Sequence, residues 1–286
     1  MIIQTPAKIN PLLYILNKRK DAFHEVYMHM LPVSLFDRIT FCKNDGQGLN
    51  FRILGADFSE PTEDNLVVRA VRSFEQVSGI TVNFDILLEK NIPSGAGLGG
   101  GSGNAAGTIQ ALNYLFRKSP EKVGLLAEKN IQSIAAELGS DVPFFLNPIP
   151  AEISGRGEKT KPLNSYPKLF LIVIKPQLSI STKEAYQKCN PENQNKFPKI
   201  HSLTDLKNHL HNQFESSLLT QFPVLSELKS RLLNYGAFGA LVSGSGSAVF
   251  GIYKDNIQQL QAFKDLSCLA NNETFICESL DSYQYF

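Results

Sequence analysis

TVNFDILLEKNIPSGAGLGGGSGNAAGTIQALNYLF, residues 81–116, is the stretch on which the reading of this chain turns. Its first part sets Val82, Phe84, Ile86 and Leu88 against more polar neighbours, the period-two pattern of a strand with one buried face, which predicts a strand over 81–92. Its last part predicts a helix from about residue 103 to 116. Between them the glycines crowd together, seven of them in residues 92–109. Glycine loses more backbone freedom on folding than any other residue. Such density therefore marks a tight turn or a place where the main chain itself approaches something closely.

Gly95-Ala96-Gly97-Leu98-Gly99-Gly100 satisfies the pattern GxGxxG, but a dinucleotide loop follows the first strand of its unit and is answered by an acid at the end of the next strand. Here several predicted elements precede the loop, and Glu121 falls between two helical stretches. A Walker A loop needs a lysine directly before its final Ser or Thr, whereas Ser102 follows Gly101. The reading left beside a plain packing turn is a run of main-chain amides delivered onto a helix N-terminus, where N–H groups and the helix dipole suit phosphate oxygens. Ser102 and Asn104 would add side-chain donors. A second small-residue loop, Ser243-Gly244-Ser245-Gly246-Ser247, lies between two further apolar runs. Two such loops in one chain point to a polyanion held between two parts of the molecule.

The remaining sequence bounds this reading. The chain has 286 residues, is 43% hydrophobic and carries a net charge of +1, which fits two modest domains and gives no general basic excess for nucleic acid. Cys42, Cys189, Cys268 and Cys277 have neither zinc-site spacing nor the density of a disulfide scaffold. The N-terminal stretch is broken by Pro6, Lys8 and Pro11, unlike a signal peptide, and no apolar run approaches the roughly 20 residues of a membrane span. A cytoplasmic protein with no nucleic-acid or membrane partner is expected. Strands are predicted at 8–16, 27–35, 37–43, 49–54 and 168–175, and helices at 64–79, 122–138 and 256–270, with two more on either side of Pro223. Residues 147–165, rich in Pro, Gly and charge, read as a linker or a hairpin, and the expected division is 1–155 and 156–286.

Phosphoryl transfer also asks for a cation and, often, a carboxylate that receives the acceptor's proton. Lys8, a lone cation among apolar residues, and Asp141, placed between a helix end and the apolar run VPFFL, are the candidates. The bland alternatives are an edge lysine reaching for solvent and an aspartate that caps a turn.

PAKIN at 6–10, IPSGAGLGGGSGNAA at 92–106, GSDVPFF at 139–145 and SGSGSAVF at 243–250 resemble, in order and spacing, the motif blocks of the GHMP small-molecule kinases. RKDAFHEV at 19–26, EDNLVVRA at 63–70 and GRGEKTKPL at 155–163 extend the likeness over most of the chain. The resemblance implies a two-domain α+β fold with a left-handed β-α-β unit, and Mg2+ and ATP as cofactors. It implies transfer of phosphate to the 2-hydroxyl of a diphosphocytidyl methylerythritol, a step toward isoprenoid precursors. Lys8 and Asp141 match the catalytic pair, with Asn10 on the same substrate. Asn65, Pro93, Gly95, Gly97, Gly99, Gly100, Gly101, Ser102, Gly103 and Asn104 match the ATP site, and Phe23, His24 and Tyr186 the cytosine site, with Gly244 and Ser245 also facing substrate. No protein metal ligand is assigned, and a monomer or weak homodimer is expected. The chain departs from the family at Ala22 and Phe23, where Gly and Tyr are usual, and at Gly103, where a second serine is usual. The rivals are a superfamily member acting on mevalonate, homoserine or a sugar, and a non-catalytic nucleotide-binding module.

Overall fold

The computed structural model describes residues 1–21, 23–54, 62–117, 126–192, 194 and 196–286. Ala22 and residues 122–125 of the expected helix lie outside them. The first part of the chain runs β1 (Ile2–Lys18), β2 (His24–Lys43), β3 (Leu49–Leu54), α1 (Leu66–Ser78), β4 (Phe84–Glu89), α2 (Gly100–Arg117), α3 (Glu128–Leu138), α4 (Val142–Leu146), β5 (Ala151–Gly155) and β6 (Lys159–Pro162). It continues as β7 (Phe170–Pro176), α5 (Thr182–Lys188), α6 (Leu203–His209), β8 (His211–Asn212), α7 (Glu215–Gln221), α8 (Pro223–Asn234), β9 (Gly239–Val242), β10 (Val249–Tyr253), α9 (Asn256–Leu266) and β11 (Asn272–Glu278).

One sheet has the order β3-β4-β2-β1-β8, with β5 on β2 and β6 on β5; the other is β11-β7-β10-β9 and wholly antiparallel. β2 is long enough to pair with β5 through Val26–Met30 and with β4 through Arg38–Lys43, while β1 occupies its other edge. β3 and β4 run parallel, and α1 is the connection between them. The expected α+β fold is present, built on the alternation of β1 and β2. Leu13, Ile15, Val26, Met28 and Met30 face a core shared with α1–α4, and Ile9, Leu12, Tyr14, Tyr27 and Leu31 face a second core shared with Leu171, Val173 and Phe250.

Several expected boundaries move for identifiable reasons. The strands predicted at 27–35 and 37–43 are one strand, because a register shift at Ser34 and Leu35 absorbs the interruption without ending the pairing. The strand predicted over 81–92 stops at Glu89, because the N–H groups of Asn91 and Ile92 turn to the Asp37 carboxylate. α2 starts at Gly100, within the glycines, with Gly103 N–H bonded to Gly99 carbonyl. Residues 147–165 contain the β5–β6 hairpin, and the expected division after 155 falls at its turn; both arms belong to the first sheet. The short helix α5 and the edge strand β11 had no counterpart in the sequence reading.

Candidate active site

Lys8 sits on β1 between two register irregularities, one at Pro6/Ala7 and one between Ile9 and Leu12, and Asn10 lies within the second. Bulges of this kind re-aim side chains beside functional sites. Lys8 Nζ donates to Asn10 Oδ1 at 2.7 Å and lies 3.6 Å from Asp141 Oδ2, an ion pair in which the lysine side chain is 5% exposed and the aspartate 30%. Burial pushes the Lys8 ammonium below the ordinary lysine range, and the Asp141 carboxylate opposes that shift. Asp141 immediately precedes α4 but makes no side-chain capping bond to it. Its carboxylate faces Lys8, so the turn-capping alternative has no bond to support it.

The glycine loop comes next to this pair. Lys8 N–H donates to the Leu98 carbonyl at 2.9 Å, tying β1 to the loop. Gly99 has φ +72°, and a β-carbon there would stand 2.9 Å from Lys8 Cγ and from the Phe145 ring. Both facts demand glycine. At the opening of α2 the first N–H groups, those of Gly100, Gly101 and Ser102, have no i−4 helical carbonyl within the helix to bond, as at any helix N-terminus. They border a cavity of about 450 Å3 that Asn65, Pro93, Gly95, Gly97, Gly99 and Asn104 also line. Gly103 is turned the other way, its α-carbon facing the Pro6 carbonyl and Phe145. Asn65 caps α1, accepting from Val67 N–H at 2.9 Å. Asn104 is buried and bonded through both ends of its amide, to Thr5 and to Asp37.

The second loop presses against the first. Ser243 Oγ donates to the Gly97 carbonyl at 3.0 Å, and the N–H groups of Ser247 and Ala248 donate to the carbonyls of Gly95 and Ala96. Gly244 and Ser245 remain at a cavity of about 230 Å3 shared with Lys8, Asn10, Gly97, Gly99, Asp141 and Tyr186. This small cavity opens toward a larger one of about 850 Å3, which contains Phe23, His24, Ser102, Asp141, Arg156, Thr182, Lys183 and Tyr186. His24 and Tyr186 stack with centroids 5.2 Å apart, and the Arg156 guanidinium lies 5.2 Å over the Phe23 ring. Burial, aided by the charge of Lys18, lowers the His24 pKa and so favours the neutral imidazole, which has one donor and one acceptor.

All the expected residues except Gly103 therefore line one cleft with two ends. Lys8 and Asp141 stand where the ends meet. Sequence reasoning passed over Thr182, which borders all three cavities and hydrogen-bonds Ser245 Oγ at 3.0 Å. A readable signal for its position was the capping pattern Ser181-Thr182-Lys183-Glu184, in which Ser181 accepts from Glu184 N–H. It also passed over Arg156, which the turn after β5 carries into the wide end.

Fold and site define a small-molecule kinase of the GHMP class: the profile of the GHMP kinases N terminal domain matches residues 65–147, and that of the GHMP kinases C terminal matches residues 197–269. The 4-diphosphocytidyl-2-C-methyl-D-erythritol kinase of Syntrophus aciditrophicus is 38% identical over 98% of this chain and 99% of its own length, and that of Syntrophotalea carbinolica is 35% identical over 96% and 98%. A crystal structure of 4-(cytidine 5'-diphospho)-2C-methyl-D-erythritol kinase superposes with a TM-score of 0.83 at 32% identity, covering 98% of this chain and 99% of that one. The chain belongs to the 4-diphosphocytidyl-2-C-methyl-D-erythritol kinase family.

Proposed function

We propose that the protein transfers the γ-phosphoryl group of ATP to the 2-hydroxyl of 4-diphosphocytidyl-2-C-methyl-D-erythritol, in the synthesis of isoprenoid precursors. The observation that carries this is the position of the Lys8–Asp141 pair, 3.6 Å apart at the junction of a glycine-lined cavity and an aromatic-lined one. ATP lies along the 450 Å3 cavity, its phosphates on the N–H groups of 100–102 and the Ser102 hydroxyl, its base toward Asn65 and Pro93. The cytidyl group enters the wide cavity, with its base between Phe23 and Tyr186 and its polar edge on neutral His24. Asn10, Gly244 and Ser245 border the acceptor.

In the reaction Asp141 takes the proton of the 2-hydroxyl as the hydroxyl oxygen attacks the γ-phosphorus, the bond from that phosphorus to the β,γ-bridging oxygen breaks and ADP leaves, and Lys8 stabilises the charge that develops beside it. Among the described residues no group of three or more His, Cys, Asp or Glu side chains forms a metal cluster. The cavity beside α2 offers main-chain N–H groups for phosphate oxygens and, as oxygen atoms, the hydroxyls of Ser94, Ser102 and Thr182 and the Asp64 carboxylate, so magnesium would be carried in by the nucleotide phosphates, whose charge it would shield. The Ser102 hydroxyl lines the same cavity and would be one protein oxygen near it. We propose a monomer or a weak homodimer. We place the division between ATP and substrate domains after the β5–β6 hairpin and the protein in the cytoplasm, a reducing compartment that suits its four free cysteines. No helix of the described residues is long and apolar enough to cross a membrane.

A coupled assay of ADP release tests the reading with the cytidyl substrate beside the same alcohol lacking the cytidyl group, mevalonate, homoserine and a hexose. Turnover is expected with the first alone. Efficient turnover of mevalonate or homoserine, or ATP binding with no turnover of any alcohol, would replace this reading by one of its rivals.

A further inference from the structure

Asp37, in β2, is completely buried and its carboxylate has four donors around it. Asn91 N–H and Ile92 N–H each donate to Oδ1 at 2.7 Å, Asn104 Nδ2 donates to Oδ2 at 2.8 Å, and the Lys90 ammonium is bonded to the same Oδ2. A buried carboxylate is tolerated when its lone pairs are filled in this way, and charge-assisted bonds are the strong ones. The arrangement is notable for where the donors come from. Lys90, Asn91 and Ile92 are the last residues before the glycine loop, and Asn104 is the first residue of α2 beyond the loop's glycines. One carboxylate thus grips both ends of the loop.

The other contacts of this cluster fix it on the same side. Asn104 Oδ1 accepts from Thr5 Oγ1 on β1, and the Asn104 carbonyl accepts from Thr108 Oγ1 at 2.8 Å, so the asparagine is held from three directions. The Lys90 ammonium stands 3.1 Å from where a Gly100 β-carbon would be, directly under the first turn of α2. Neutral asparagine at position 37 would keep one acceptor oxygen and present an amide donor to a neighbourhood that holds only donors. Opening that grip changes the separation of residues 92 and 104 and, with it, the direction of the N–H groups at 100–102.

We infer that Asp37 is a positioning residue for the nucleotide loop, and that Asn104 serves it as a strut between loop and sheet. The inference rests on the reading that this loop receives ATP phosphates. Neither side chain needs to touch the nucleotide. The two residues belong to one device that holds an amide cradle in shape before the nucleotide arrives.

Two variants test it, Asp37→Asn and Asn104→Ala, the second of which leaves the Asp37–Lys90 pair intact. In the nucleotide-free protein, amide hydrogen exchange across residues 93–103 should quicken roughly tenfold in both, while β7 and β10 of the other sheet exchange as before. The ATP KM should rise roughly tenfold with the KM for the cytidyl substrate within about twofold. Unaltered loop exchange in a folded variant overturns the inference, as does faster exchange spread evenly over both sheets, or a loosened loop with an unchanged ATP KM. If Asp37→Asn does not fold, Asn104→Ala decides by the same readings. Calorimetric titration of the parent protein with ATP separates the two levels: no binding there defeats the nucleotide reading, while the exchange data still decide whether Asp37 orders the loop.

Discussion

Residues 93–103 and residues 243–247 are both glycine- and serine-rich, both follow an apolar run, and both invite the same phosphate-loop reading. Their surroundings differ. The first opens onto α2 and leaves the N–H groups of 100–102 along a cavity wall. The second is almost wholly buried, and Ser243, Ser247 and Ala248 direct their donors at the carbonyls of Gly95, Ala96 and Gly97. Glycine density signals close approach of a main chain without saying to what. In the proposed reading the first loop approaches a nucleotide, whereas the second packs chiefly against the first loop and brings Gly244 and Ser245 to the acceptor cavity. The division even runs through the first loop: Gly97, Gly99 and Gly101 all line the cleft, but a β-carbon would strike the Ser243 carbonyl at Gly97 and Lys8 and Phe145 at Gly99, whereas Gly101 has room for one.

This contrast can be broken most severely at Gly97. It has φ +74°, and a β-carbon would stand 2.0 Å from the Ser243 carbonyl oxygen. Gly97→Val combines a left-handed backbone for a branched residue with overpacking against main chain, together about 3 kcal/mol or more. A large fall in Tm with loss of both ligands is expected; a stable variant with normal kinetics would mean that the two loops are not locked together. Gly101→Val should behave differently. Its β-carbon meets only Leu66 Cδ1 at 3.4 Å, and its φ is not left-handed, so the fold should survive. The ATP KM should then rise by about tenfold or more because the branched side chain covers the amide cradle. An unchanged nucleotide titration in that folded variant would remove the phosphates from this end of α2.

The smallest of these effects concerns the far end of the cleft. Tyr186→Ala should weaken the cytidyl substrate by roughly 1–3 kcal/mol, read as its KM, with ATP nearly unaffected. Equal weakening of both ligands would place the ring in the wrong half of the site. The free protein already stacks Tyr186 on His24, so part of the lost stacking is intramolecular, which favours the lower end of the range.

How much of this was readable from the chain follows from how local each signal is. The strand, loop and helix around residues 84–116 were legible because period-two apolar spacing, glycine and helical spacing succeed one another without overlap. Lys8 and Asp141 stood out as charges in apolar surroundings, and their mutual distance is a tertiary fact that motif resemblance anticipated and periodicity did not. The unity of β2 was hidden, since Pro32, Ser34 and Asp37 look like interruptions. The chain tolerates them through a bulge at 34–35 and through partners for Asp37 that lie more than fifty residues away. Thr182 was missed because a seven-residue helix carries too little periodicity to announce itself, and its importance comes from three walls meeting there.

Asp141 is proposed to take the acceptor's proton where the two halves of the cleft meet. Burial lowers the Lys8 pKa from 10.5, so the free enzyme should also lose kcat/KM on the alkaline side earlier than an ordinary lysine would dictate. The sharper measurement is kcat at saturating ATP and cytidyl substrate for Asp141→Asn, with Tm and both binding constants determined on the same preparation. Asparagine keeps the shape of the side chain and removes its basicity. An intact fold, retained binding of both ligands and a fall in kcat of about 10²–10⁴-fold are expected. A stable variant that binds both ligands and turns over within a few-fold of the parent would contradict that role for Asp141, leaving Lys8 without its partner and the proton without its acceptor.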